Sequence, residues 1–131
     1  MLSYKHGYHA GNQADVLKHI CLIQAYKSLK KHYKSISYID THAGSGTYKF
    51  KSEYMSKNKE YENGISKLEH YQYENQAIKY YLKILRNINE SKKLLFYPGS
   101  PSIMSYITDN NDKLSHHCHC SQVLQWQQIS D

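Results

Sequence analysis

The stretch YIDTHAGSG at residues 38–46 decides the fold of this 131-residue chain. It overlaps the β-prone run SISYI at 35–39, which predicts a short buried strand. Open α/β sheets meet nucleotide-like ligands where a strand ends in an acidic residue, here Asp40, and continues into a Gly-rich turn. On spacing alone, the turn is equally well explained as an ordinary strand-to-helix connection, because many loops contain G-x-G.

A helix is predicted on the N-terminal side of this strand, from a cap at Asn12 to about Lys31. Its apolar side is predicted to consist of Val16, Leu17, Ile20, Ile23, Tyr26 and Leu29. The start of such a helix has free N–H groups that suit a carboxylate or a phosphate, and Lys18 and His19 could add charge. The alternative is a capped surface helix with solvated side chains.

The rest of the chain continues the alternation of helices and strands. Helices are predicted at 65–72, 75–89 and 101–109, a short strand or extended segment at 93–98, and a further strand from 112–114 onward. Ser100 either caps the last helix or turns its hydroxyl toward a ligand. This order predicts an α/β fold with parallel strands, although there are few strands for a sheet that closes its own core.

The composition indicates one basic domain. Lys and Arg total 17 against 11 acidic residues, a net charge of +6, and there are 14 Tyr. A basic, aromatic surface can neutralise phosphates and stack bases, whereas A/T-rich codon usage would explain the same excess without any function. No apolar run approaches the roughly 18 residues of a membrane span, and no secretory signal is visible. Three Cys are too few for a disulfide framework, so we expect a cytoplasmic protein.

The last residues, SHHCHCSQVLQWQQISD at 115–131, differ in composition from the body at 1–114. They contain no Lys or Arg and hold the only Trp. A separate functional tail, a zinc-binding tract and a stretch read in another frame would each explain this break, and the change in residue usage favours the third. The His and Cys residues at 116–120 are adjacent rather than spaced as zinc ligands, so we expect no metal site.

Four segments occur in one order: MLSYKHGYHAGNQADVLKH at 1–19, YIDTHAGSG at 38–46, EYENGI at 60–65 and FYPGSP at 96–101. Together they resemble the N-terminal part of the bacterial 23S ribosomal RNA adenine-N6 methyltransferases of the large subunit, type J. The resemblance covers residues 1 to about 114, and D-T-H-A-G-x-G is far more specific than a generic G-x-G. It is absent from the tail.

The resemblance implies an incomplete Rossmann-like, S-adenosylmethionine-dependent methyltransferase fold, with a helical insertion at about 47–95. It implies 23S ribosomal RNA, free or as an early precursor, as the partner. The residues that it implies for cofactor binding are Lys18, His19, Asp40, His42, Gly44 and Ser100. Tyr4 and Lys5 would contact the RNA.

Two departures from the family pattern limit what the resemblance implies for catalysis. The family's acidic residue for the cofactor ribose falls at Cys118, and cysteine cannot accept two ribose hydrogen bonds. The D-P-P-Y motif, which holds the target amine, does not occur in the sequence, so no catalytic residue is assigned. We therefore expect a truncated, inactive product with an unrelated tail at 115–131. A small basic RNA-binding module and a non-functional gene fragment are the alternatives.

Overall fold

A computed structural model of the chain describes residues 6–70, 72 and 74–117. The helices within these residues are α1 (Gln13–Lys30), α2 (Glu53–Asn58), α3 (Ile65–His70), α4 (Gln76–Asn89) and α5 (Ser100–Ile107). The strands are β1 (Ser37–Asp40), β2 (Thr47–Lys49), β3 (Phe96–Pro98) and β4 (Lys113–His116). Short 3₁₀ turns lie at His6–Tyr8 and Glu60–Asn63. No helix in the described part of the chain is both long enough and apolar enough to cross a bilayer.

The strands form two separate pairs. β1 lies parallel to β4, with Asp40 opposite His116, which confirms a mixed α/β chain with a small parallel sheet. β2 lies antiparallel to β3, with Thr47 opposite Pro98. The prediction that the segment 93–98 adds a strand to the parallel sheet is therefore wrong. Gly46, directly before β2, has a left-handed backbone at φ +78°, a conformation that favours glycine.

The prediction that the first strand is buried is also wrong. Alternate residues of β1 face solvent, and the Ile39 side chain is 63% exposed. The four residues of β4 are all exposed. A parallel strand is buried on both faces only where helices cover both faces of the sheet, and the described elements do not cover this pair in that way.

Helix α1 begins where the sequence predicts. The Asn12 side chain accepts a hydrogen bond from the Asp15 amide at 2.9 Å. Val16, Ile23 and Tyr26 are buried, but Leu17 is 62% and Leu29 45% exposed, so the assignment of these two leucines to the apolar side is wrong. Successive residues of a helix are about 100° apart, which turns Leu17 away from the face that carries Val16.

The core lies between α1, α4, α5 and the antiparallel pair. Its buried members include Ile23, Met55, Ile65, Tyr81, Ile84, Leu85, Tyr97 and Ile103. Helix α4 contributes most to this cluster because its apolar residues recur on one side at helical spacing. The antiparallel pair therefore lies within the core, whereas the parallel pair lies at its margin.

The buried carboxylate of Asp112 connects the parallel pair to α1. Asp112, directly before β4, accepts hydrogen bonds from the Tyr26 hydroxyl at 2.7 Å and the Ile36 amide at 2.8 Å. It also pairs with Lys30 at 3.1 Å. Burial opposes its ionisation, but these donors outweigh that effect and lower the pKa of Asp112 to about 2. The entry to β4 is thus held by polar contacts.

The predicted domain boundaries stay predictions. The range 47–95, expected as a helical insertion, contains α2, α3 and α4, and also strand β2. Strand β4 continues to His116, two residues into the segment assigned to the tail. Most of that segment lies outside the described residues.

Candidate functional site

The carboxyl ends of β1 and β4 form one edge of the parallel pair. Asp40 and His116 are the last residues of the two strands and lie opposite each other. The His117 amide donates to the Asp40 carbonyl at 2.8 Å, which holds the chain together just beyond the strands. Ligands of open α/β sheets bind outside this edge, so Asp40 occupies the position that the sequence predicts for a site residue.

Three donors surround the Asp40 carboxylate. The Ser100 hydroxyl donates to Oδ2 at 2.7 Å, and the Tyr38 hydroxyl donates to the same oxygen at 3.1 Å. The His42 amide donates to Oδ1 at 3.1 Å. This carboxylate therefore connects β1, the Gly-rich loop and the start of α5. It brings together Asp40, His42 and Ser100, three of the residues singled out from the sequence.

The role of Ser100 differs from helix capping. Ser100 is the first residue of α5, and Gly99 occupies the cap position without a side-chain hydrogen bond. Because its proton is donated to Asp40, the Ser100 hydroxyl oxygen is left to accept a hydrogen bond from another group. The capping role is therefore wrong, and the site presents Ser100 as an acceptor.

The electrostatics keep Asp40 ionised. Its partial burial opposes the charge, but the hydrogen bonds from Ser100, the His42 amide and Tyr38 prevail and lower the pKa of Asp40. Burial, together with the adjacent carboxylate, raises the pKa of Tyr38. Burial lowers the pKa of His116 against the opposing effect of Asp40. At neutral pH the edge therefore carries one negative charge beside neutral donors.

The Gly-rich loop and the PGSP segment are joined through Gly46. Its carbonyl accepts the Gly99 amide and the Ser102 hydroxyl, both at 2.7 Å. A Cβ atom on Gly99 would lie 3.2 Å from the same carbonyl oxygen, so the two backbones approach closely. Gly44 is half-buried in the loop, and the His42 side chain is exposed. The two segments therefore form one rigid rim beside Asp40.

The start of α1 is arranged around Asp15. This buried carboxylate accepts the Gly11 amide at 3.1 Å and pairs with Lys18 at 2.6 Å. The His19 side chain is fully buried, and its Nδ1 lies 2.8 Å from the Tyr97 hydroxyl. The Lys18 ammonium is thus held by a neighbouring carboxylate, and His19 faces the interior.

Two of the motif segments dock on each other at this helix start. Glu60 accepts hydrogen bonds from Asn12 and His9 at 2.9 Å, and the Asn12 bond is the larger cause that lowers the Glu60 pKa. A Cβ atom on Gly64 would lie 2.0 Å from the Gly11 carbonyl oxygen, so this contact requires glycine. EYENGI thereby fixes the position of HAGN.

Sequence reasoning missed two residues at the strand edge, Tyr38 and His116. Tyr38 lies two residues before Asp40, and alternate residues of a strand share a face, so spacing could have identified it. His116 could not be identified, because its position depends on the pairing of β4 with β1. Their rings lie 6.0 Å apart between centroids, edge to face.

Three of the predicted positions lie outside the described residues, namely Tyr4, Lys5 and Cys118. Most of the His and Cys tract of the tail lies there too. Within residues 6–70, 72 and 74–117, no group of three His, Cys, Asp or Glu side chains has the arrangement of a metal site.

The chain is similar to known methyltransferases. Residues 33–122 match the family model RsmJ, described as "Ribosomal RNA large subunit methyltransferase D, RlmJ". Two curated proteins named "Ribosomal RNA large subunit methyltransferase J", from Escherichia coli (strain K12) and Haemophilus influenzae, are each 40% identical over 114 residues. The chain spans about two fifths of their length, 41% in both cases.

A solved structure has a similar fold. The crystal structure of protein LPL1258 from Legionella pneumophila, of the family DUF519, matches with a TM-score of 0.72 and 33% sequence identity. The match covers 82% of this chain and 39% of that one. The described elements therefore correspond to part of a larger fold.

Proposed function

We propose a function from the premise that this chain belongs to the RsmJ family, ribosomal RNA large subunit methyltransferase D (RlmJ). The 131 residues are the cofactor-binding part of a 23S ribosomal RNA adenine-N6 methyltransferase with a Rossmann-like fold. The cofactor is S-adenosylmethionine, which supplies the methyl group when bound. The observation that carries this proposal is the junction of Asp40 with Ser100 and the His42 amide at the carboxyl edge of the parallel strands.

The residues of this edge fit the chemistry of the cofactor. S-adenosylmethionine carries an ammonium and a carboxylate at one end. Ser100, its own proton bound by Asp40, offers a lone pair to the ammonium. The ionised Asp40 adds a negative charge nearby, which favours the same group. The Asp40–Ser100 pair therefore selects a hydrogen-bond donor with positive charge.

The remaining residues predicted for cofactor binding lie on α1 and in the Gly-rich loop. Lys18, about half exposed on the second turn of α1, would pair with the carboxylate of the cofactor. His42 and Gly44, in the Gly-rich loop, would line the cofactor site. His19, buried against Tyr97, positions α1 relative to the PGSP segment rather than contacting the cofactor with its ring.

The RNA partner follows from the relatives. Their names describe ribosomal RNA methyltransferases, so we propose 23S ribosomal RNA, free or in an early precursor, as the substrate. Tyr4 and Lys5 contact the RNA beside the target adenine. An enzyme that acts on this RNA works in the cytoplasm.

The chain alone is expected to transfer no methyl group. In the family, the polar groups of the D-P-P-Y motif accept hydrogen bonds from the target amine and align it with the methyl group. This motif does not occur in the sequence. We expect no label on protein-free 23S RNA after incubation with the purified chain and methyl-labelled cofactor. Methyl transfer above background would contradict the expectation that the chain alone is inactive.

Calorimetric titration with S-adenosylmethionine tests the cofactor site. We expect weak saturable binding by the parent chain, which Ser100→Ala weakens about tenfold through loss of a hydrogen bond to a charged group. Ser105→Ala, on an exposed position of the same helix, is the matched control and leaves the affinity unchanged. Equal affinity of all three proteins would contradict the site. RNA binding without any cofactor binding would favour the small RNA-binding module.

A further inference from the structure

The outer face of α4 carries a row of positive charges. Lys79, Lys83 and Arg86 are exposed and recur at intervals of four and three residues, which places them on one side of the helix. The opposite side carries the buried Tyr81 and Leu85. The row ends near Glu90, where the backbone turns left-handed at φ +51° and the helix stops.

Helix α1 extends this row by one residue. The Lys27 ammonium lies over the Tyr80 ring, 4.1 Å from its centroid, and Lys27 is itself exposed. Tyr80 lies three residues before Lys83 on α4, a spacing that makes their side chains neighbours on the helix surface, so the Lys27 charge lies beside the row. Lys27, Lys79, Lys83 and Arg86 together are called the basic stripe.

The charges of the basic stripe have no carboxylate partners among the described residues. The lysines that form ion pairs there are Lys18, Lys30 and Lys59. Each of those has an acidic side chain within 4 Å, whereas no member of the basic stripe does. Four exposed, uncompensated positive charges on two packed helices therefore form a fixed electropositive surface.

We propose that the basic stripe binds the phosphate backbone of an RNA duplex. This inference rests on the proposed function, because it names a surface by which the same protein holds its RNA. From Lys79 to Arg86 the helix rises about 10 Å, a length over which a duplex presents several phosphates. The core fixes the backbone of the helix that carries the stripe, so RNA binding orders only its side chains.

An RNA partner suits the surface better than a lipid membrane. Helices that bind a membrane surface insert an exposed apolar face beside their basic face. The apolar face of α4 is buried against α1 and α5, so it cannot insert. The exposed part of the stripe is basic, which suits the phosphate backbone of a duplex.

Salt-dependent binding to a labelled RNA hairpin tests the proposal. The test variant is Lys79→Gln/Lys83→Gln/Arg86→Gln, measured by fluorescence anisotropy between about 50 and 200 mM salt. The matched control is Lys49→Gln/Lys51→Gln/Lys57→Gln, which removes the same charge from exposed positions around β2 and α2. Thermal melts of both variants verify folding, since exposed substitutions change stability by only about 0.5 kcal/mol.

We expect the stripe variant to bind at least about tenfold more weakly at about 0.1 M salt, with a salt slope smaller by about 2 to 3. The control variant keeps most of the affinity and slope. Equal losses in the two variants, or no loss in the stripe variant, would overturn the proposal. Displacement of the RNA by polyglutamate of equal charge at the same concentration would also overturn it, in favour of an acidic protein.

The cofactor titration separates this proposal from the proposed function. The stripe variant is expected to keep the parent affinity for S-adenosylmethionine, because α4 lies outside the Asp40–Ser100 junction. If the parent chain binds RNA through the basic stripe but binds no cofactor, the proposed function is wrong and the assignment of the basic stripe as an RNA-binding surface is supported. If it binds cofactor but the stripe variant binds RNA normally, only the stripe proposal fails.

Discussion

The two strand pairs of this molecule are held in different ways. The antiparallel pair β2·β3 lies in the core, with Tyr48, Tyr97 and Pro98 buried. The parallel pair β1·β4 is largely exposed and is held by the carboxylates of Asp112 at one end and Asp40 at the other. The first pair therefore depends on packing and the second on polar contacts. The candidate site lies on the second pair.

Removal of a core side chain should have the largest effect on stability. Tyr97→Ala leaves a cavity and deprives His19 and Tyr81 of a hydroxyl partner. We expect a loss of about 3 to 5 kcal/mol in the free energy of unfolding, measured by urea denaturation. Ile39→Ala on the exposed parallel pair is the control, with a change within about 0.5 kcal/mol. Similar losses for both would contradict the distinction between the pairs.

Removal of the carboxylate that connects β4 to α1 should have the next largest effect. Asp112→Ala leaves the Tyr26 hydroxyl and the Ile36 amide without their acceptor, and we expect a loss of about 2 to 3 kcal/mol. Asp109→Ala is the control, since Asp109 is half exposed and pairs with Lys30 at the surface, which is worth at most about 1 kcal/mol. A smaller loss of stability for Asp112→Ala than for Asp109→Ala would show that the hydrogen bonds of Asp112 do not hold the parallel pair.

Acid should weaken the parallel pair through the same group. The pKa of Asp112 is about 2 in the folded chain, below the ordinary 3.8. A depressed pKa contributes stability that is present above the unfolded value and is lost as the pH falls through the folded value. The difference in stability between the parent chain and Asp112→Asn should therefore shrink between pH 3.8 and about 2. A constant difference across this window in acid titrations monitored by circular dichroism would contradict the prediction.

The sequence predicted local features better than the pairing of strands. The cap at Asn12, the helix at 75–89 and the entry to a strand at 112–114 follow from short-range chemistry, and the structure confirms them. The exposure of Ile39 and the separate pairing of 96–98 were not predictable in this way, because they depend on which distant segments meet. Local pattern does not determine such contacts.

The candidate site shows the same division. Asp40 was recognised from its place between a strand and a Gly-rich turn. The hydrogen bond from Ser100 to Asp40 joins residues 60 positions apart, so the sequence left open whether Ser100 caps a helix or faces a ligand. His116 completes the edge only through the register of β4 with β1.

A map of cofactor binding by backbone amide NMR tests whether the Asp40–Ser100 junction is the cofactor site. The isotope-labelled chain is titrated with S-adenosylmethionine to millimolar concentrations. We expect saturable shifts concentrated at residues 40–46 and 98–102 and at the start of α1, with the amides of α4 unchanged. Shifts concentrated elsewhere, or the same shifts in Ser100→Ala at the same concentrations, would contradict a cofactor site at the Asp40–Ser100 junction.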